Sequence, residues 1–253
     1  YHPLALKIVG ARLKNMTTVD WNTSFDSISR IKGSYSAKNR DDNLTVCFEV
    51  SVKSLPPELP PLYHALGIFP EDEWIPESIV ITLWRALNPD LSSADCADIA
   101  IDLAKLALID RQRHDEKSAE IRTHDLLHSY NREKIKDHYA DTQMGFISAL
   151  GNPYALPHDY AWRFYGYHLK EAGNTARLRE LIADFVWLQA KLVATDTGAL
   201  MADCELLLLG EQQDPFSKLL RSALANSSHV TDADTSALAH QLAGRLMIHR
   251  KTN

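Results

Sequence analysis

Along most of the chain, apolar residues recur at helical rather than strand spacing. Over 3–14, Leu4, Ile8 and Ala11 share one face. Thr17 and Asp20 form a capping-box pattern that predicts a second helix carrying Trp21, Phe25 and Ile28. The polar stretch 32–42 reads as a linker, and a third helix is expected over Leu44–Leu55. Pro56 and Pro57 break it, and the next helix, over roughly 57–66, stops at Gly67. After a turn at Pro70–Asp72, Pro76 suits the first position of a helix bearing Ile79, Leu83 and Leu87. Ser92 and Asp95 then cap a helix bearing Ile99, Leu103 and Leu106. An apolar segment at Leu106–Asp110, a charged loop and a segment at Glu120–Thr123 predict a β-hairpin, before Asp125–Lys136 returns to helix.

From residue 138 onward every pattern is helical. Leu178, Leu181, Phe185, Leu188 and Leu192 form the clearest stripe, either on one helix or on two divided at Asp184. Gly173-Asn174 and Gly210 are stop signals. No clean 34-residue repeat exists, although 160–183 could pass for one helical hairpin of a solenoid. Trp84, Trp162 and Trp187 sit in apolar patterns and are expected in the core. The expected fold is mainly α. It starts with a helical hairpin, continues as a winged helix (three short helices and a small β-hairpin), and ends in an all-α bundle or superhelix. The expected boundaries are 1–42, 43–136 and 137–253.

Composition narrows the function. Of the 253 residues, 45% are apolar and 24% charged, enough for a sizeable core. No run of 18 apolar residues or signal peptide is present, so no membrane role is expected. Cys47, Cys96 and Cys204 are far apart and lack a CxxC pattern, which excludes a disulfide framework and a zinc knuckle and suits a reducing cytoplasm. The first residue is Tyr1, not Met, as expected of an excerpt or processed piece. Net charge is −6, so general nucleic-acid affinity is not expected. There is no GxxxxGK[ST] loop, GxGxxG turn or GxSxG elbow, so no enzyme activity is expected of the chain by itself.

Two candidates remain. His124 and His128, four apart on one helical face, could hold a metal, but no third ligand is apparent. His124 alone is either a satisfied histidine at a strand-to-helix junction or a donor to a bound anion. DNA binding by the winged helix meets an obstacle in its third helix, where Asp95, Asp98 and Asp102 would face phosphates with only Lys105 to offset them.

Several pieces, in order, resemble the regulatory half of NB-ARC (STAND) switch ATPases. Pro3-Leu-Ala-Leu resembles the end of the GLPLA motif. Ile68-Phe-Pro-Glu-Asp-Glu-Trp-Ile-Pro with Leu83-Trp84 resembles the start of the family's winged helix. Thr123-His124-Asp125-Leu-Leu-His-Ser-Tyr resembles the MHD-type motif, and Asp184-Phe-Val-Trp-Leu-Gln-Ala-Lys-Leu resembles the helical domain of the apoptotic protease-activating factor branch. The resemblance implies a nucleotide-binding domain before residue 1, holding ADP or ATP with magnesium, and WD repeats after residue 253. It implies that His124 contacts the β-phosphate of ADP and that Pro3 packs near the adenine. The fragment alone would carry no cofactor. The parent protein would be a slow, cytoplasmic ATPase switch that oligomerises with protein partners when ATP replaces ADP. Tyr1-His2 depart from the family's Gly-Leu, and Leu106-Ala107 from its frequent Ser-Leu. The alternatives are a winged-helix DNA-binding regulator and a helical-repeat scaffold for protein partners.

Overall fold

The computed structural model describes residues 3–13, 40–115, 118–209 and 214–250. Among these, fourteen α-helices accompany one small antiparallel sheet, a mainly α fold. The chain divides into two compact units between Tyr139 and Ala140. The helix expected around Trp21, Phe25 and Ile28, the Gly210 stop and most of the 32–42 linker lie outside the described residues.

In the first unit, α1 (Pro3–Leu13) buries Leu4 and Ile8 and packs on α2 (Arg40–Lys53). α2 starts four residues before the predicted Leu44, so the end of the expected linker is helical. α3 (Leu59–Ala65) runs on into a 3₁₀ turn at Leu66–Ile68 instead of stopping at Gly67. The glycine serves another purpose: a Cβ there would lie 2.7 Å from the backbone nitrogen of Arg132. Only glycine lets this turn approach the helix behind it so closely.

The β-hairpin expectation needs correction. β2 (Asp110–Arg113) and β3 (Ala119–Arg122) pair as a hairpin, but β1 (Ile75–Pro76) adds to β3 on the other side, giving the order β1-β3-β2. Ile75 faces Ile121 and Pro76 faces Glu120. Two residues are too few to show a period of two. Pro76, which lacks an N–H, sits on an edge strand and caps α4 (Glu77–Leu87) rather than opening it. Ile79 and Leu83 are buried as expected, whereas Leu87 is exposed.

α5 (Ser93–Lys105) has the predicted capping box. Ser92 Oγ accepts the Asp95 N–H at 3.1 Å, and Asp95 Oδ2 accepts the Ser92 N–H at 2.8 Å. Its buried stripe is Cys96, Ala100 and Leu103, not Ile99, Leu103 and Leu106. The helix ends in a Schellman arrangement: Leu108 N–H donates to Leu103 O and Ala107 N–H to Ala104 O, each at 3.0 Å. Ala107 therefore occupies the left-handed position, with φ 56°. This turn consumes the apolar segment Leu106–Ile109, which was expected to be strand, and tucks Leu108 into the core. There Tyr63 Oη donates to Leu108 O at 3.2 Å, and the fully buried Trp84 donates to Leu62 O at 2.8 Å. α6 (Asp125–Lys134) follows β3 directly.

The second unit is all helix among the described residues: α7 (Tyr139–Leu150), α8 (Asp159–Glu171), α9 (Thr175–Ala183), α10 (Phe185–Ala194), α11 (Thr197–Leu206), α12 (Pro215–Ala225), α13 (Ser228–Thr231) and α14 (Leu238–Arg250). α8 and α9 form the expected hairpin, joined through Gly173 at φ 76° and the Asn174 cap. The long leucine stripe is two helices. Asp184 ends α9 and caps α10, accepting the Val186 N–H at 2.8 Å. That offset turns Phe185 outward while Leu178, Leu181, Leu188 and Leu192 stay buried. Trp162 and Trp187 are in the core as expected.

This unit buries several polar groups in pairs, although the indole N–H of the buried Trp187 finds no acceptor among the described residues. His168 donates from Nδ1 to Gln143 Oε1 at 2.7 Å and accepts from Tyr160 Oη at 3.2 Å; burial pushes its pKa down to about 3. Lys191 and Asp203, both fully enclosed, form an ion pair, and Lys191 Nζ also donates to Arg163 O at 3.2 Å. Burial lowers the lysine and raises the aspartate, and each partner's charge opposes the shift. Gly166 is required beside them, because a Cβ there would collide with the Asp203 carboxylate.

Candidate functional site

The first unit carries a cleft of about 200 Å³ where three stretches of chain converge. The first turns of α1 supply Pro3, Leu4 and Lys7. The turn after α5 supplies Ala107, Leu108 and Ile109, with Asp110 opening β2. The start of α6 supplies His124 and Leu127. The left-handed Ala107 makes this geometry, since it reverses the chain so that Leu108 turns inward and Asp110 emerges at the rim.

His124 is the N-cap of α6, and its side chain is 42% exposed. The Asp125 carboxylate accepts the Leu126 N–H at 2.7 Å and lies against His124 Nδ1. Nδ1 is thus engaged by the first turn of α6. Among the described residues, Nε2 makes no hydrogen bond, which leaves it available to a ligand. Pro3 lies on the same cleft although 121 positions separate it from His124. A histidine able to donate, a proline face and a lysine around one concavity suit an anion joined to a flat apolar group. At 200 Å³ the cleft is smaller than the roughly 300–1,000 Å³ of whole small-molecule sites, so by itself it would enclose only part of such a ligand.

His124 and His128 do not form a metal pair. His128 is buried and donates from Nε2 to Phe69 O at 2.8 Å, while His124 faces the cleft. Among the described residues no group of three His, Cys, Asp or Glu could hold a metal ion. α5 exposes Asp95, Asp98 and Asp102, and Lys105 is already paired with Asp102 at 2.8 Å. That face repels phosphate. Also among the described residues, no helix is long and apolar enough to cross a membrane.

Residue-by-residue reading missed Lys7 and Asp110. The signal for Lys7 was its position one turn beyond Pro3, on the same face of α1. Asp110 gives none, because the apolar pattern before it puts it at the end of a strand that it in fact begins.

The helix that His124 opens is also where a known domain begins. Residues 124–241 match the APAF-1 helical domain. The match runs from the α6 cap into α14 and so includes Asp184, Lys191 and Asp203. Two probable disease resistance proteins of Arabidopsis thaliana are each 30% identical to the chain over 107 residues, which is 42% of this chain and 13% of each of theirs. Disease resistance protein ADR1 of the same plant is 28% identical over 82 residues, 32% of this chain and 10% of its own. The chain thus spans 13% or less of the length of these relatives.

Proposed function

We propose that this chain is the non-catalytic regulatory segment of a nucleotide-dependent signalling switch of the NB-ARC type. Residues 1–42 would end its first helical domain, 43–136 form a winged helix, and 137–253 form the helical domain of the apoptotic-factor branch. The observation that carries the reading is the convergence of Pro3 and His124 on one cleft. The order α3-β1-α4-α5-β2-β3 supports the winged helix, and the APAF-1 helical-domain match and disease-resistance relatives support the setting.

In this reading an upstream domain in cis holds ADP, or ATP with magnesium, and performs the slow hydrolysis. His124 offers Nε2 to the terminal phosphate of ADP, and Pro3 offers an apolar surface to the base. A ligand shifts a two-state equilibrium only by its differential affinity, so a contact made only in the closed form couples ADP to closure. Exchange for ATP releases that contact and frees protein-binding surfaces for partners and self-association in the cytoplasm. Downstream WD repeats would read out the change.

The test uses the longer protein that carries the nucleotide domain. A charge-assisted hydrogen bond is worth about 1.5–3 kcal/mol, so His124→Ala should speed ADP release by about 10- to 150-fold. An unchanged ADP off-rate overturns the reading.

A further inference from the structure

His124 is not the cleft's only side chain able to donate to an anion. Lys7 reaches the rim from α1, and its Nζ donates to Asp110 Oδ1 at 2.7 Å. An ammonium has three donors, and among the described residues Asp110 takes one. The Lys7 side chain is 56% exposed, so the others face water. Asp110 is not taken up by Lys7 alone. It is shared with Arg122, its cross-strand neighbour, whose Nη2 lies 3.4 Å from Oδ2. Arg122 is in turn held with its guanidinium 4.7 Å from the centre of the Trp74 ring.

We propose that Lys7, an ammonium steadied at the rim by Asp110, is a second phosphate-binding group of this cleft, for an organic polyphosphate of the nucleoside diphosphate class. The inference rests on the nucleotide reading above. Two features support it: a concavity that Lys7 and His124 both line, and a rim carboxylate that Lys7 shares with Arg122, which leaves the ammonium with unused donors. Partial burial works to raise the Asp110 carboxyl, but Lys7 and Arg122 outweigh it and hold it below the ordinary carboxylate value. The carboxylate therefore stays charged and keeps the ammonium in place near neutral pH. A phosphate need not break the ion pair, because it can take the donors that Asp110 leaves.

The experiment titrates the longer protein that carries the nucleotide domain, freed of bound nucleotide, with pyrophosphate, ADP and adenosine. Magnetic resonance follows the Lys7 ammonium and the Leu126 amide. Lys7→Gln should weaken pyrophosphate and ADP about tenfold while leaving adenosine unchanged, and Lys7→Arg should restore binding. Asp110→Asn keeps an acceptor for Lys7 but removes the competing charge, so it should tighten pyrophosphate several-fold. A purely structural Lys7 would move all three ligands together. If ADP binds and His124→Ala weakens it while Lys7→Gln does not, the Lys7 assignment falls and the nucleotide reading stands. If pyrophosphate binds through Lys7 and ADP does not bind, the assignment stands and the nucleotide reading falls. If neither anion perturbs Lys7, the assignment is overturned.

Discussion

His124 and His168 put one side-chain type to opposite uses. His168 is fully enclosed in the second unit, with both ring nitrogens hydrogen-bonded and its pKa pushed down to about 3. His124 stands at a helix cap in the first unit, with one nitrogen engaged by its own turn and the other beside a cleft. The same contrast holds for lysine: Lys191 is sealed against Asp203, and Lys7 meets Asp110 at the surface. Polar groups in the second unit serve specificity of packing. Those around the first unit's cleft keep unused hydrogen-bonding capacity, which is what a binding surface requires.

The contrast breaks most visibly at Lys191. Lys191→Ala strands the Asp203 carboxylate in a dry site and should cost about 3–5 kcal/mol. Lys7→Ala, which removes an exposed pair, should cost below about 1 kcal/mol. Urea denaturation of the two variants measures both, and equal losses would erase the distinction.

Acid titration of stability sharpens the histidine comparison. His168 takes a proton in the unfolded chain near its ordinary 6.5 but in the folded chain only near 3. Between those values the unfolded state binds the extra proton, so stability falls as pH falls, by about 1.4 kcal/mol per pH unit. Above 6.5 this contribution is constant. Urea midpoints measured from pH 7 to pH 4 should lose most of that slope in His168→Gln, with His64, whose pKa burial also lowers, keeping a contribution of the same sign.

Smaller effects are expected at the cleft. An alanine at φ 56° costs about 1–2 kcal/mol of left-handed strain, whereas glycine adds about 0.4–1 kcal/mol of unfolded-state entropy. Ala107→Gly should therefore stabilise the chain by about 0.5 kcal/mol, read as a raised melting midpoint. His124→Ala should change stability least, by under about 0.5 kcal/mol, because Asp125 already accepts the Leu126 N–H. A large loss there would show that His124 is structural.

Much of the fold was legible because strong local signals agreed with it. The Ser92–Asp95 box, the Gly173-Asn174 stop and the alternative division at Asp184 all act within a few residues. β1 was illegible because two residues cannot display a period, and its partner Ile121 lies 46 positions away. Gly67 looked like a stop because its actual constraint, the backbone of Arg132, is 65 positions distant. The cleft shows the same limit. His124 drew attention through its motif, and Pro3 through its resemblance to another. No local pattern says that they meet, because that depends on an alanine in a left-handed turn.

Asp184 closes one helix and opens the next within a single residue, so the α9–α10 junction has no slack. Its other carboxylate oxygen also accepts the Tyr154 hydroxyl at 2.5 Å, tying the joint to the loop before α8. Adding one residue there would rotate everything beyond it by about 100° of helical phase. Val186 would swing inward and Leu192 out toward water. The elbow behaves as a fixed bracket rather than a hinge, and a push on α9 would reach Trp187 with little lost on the way.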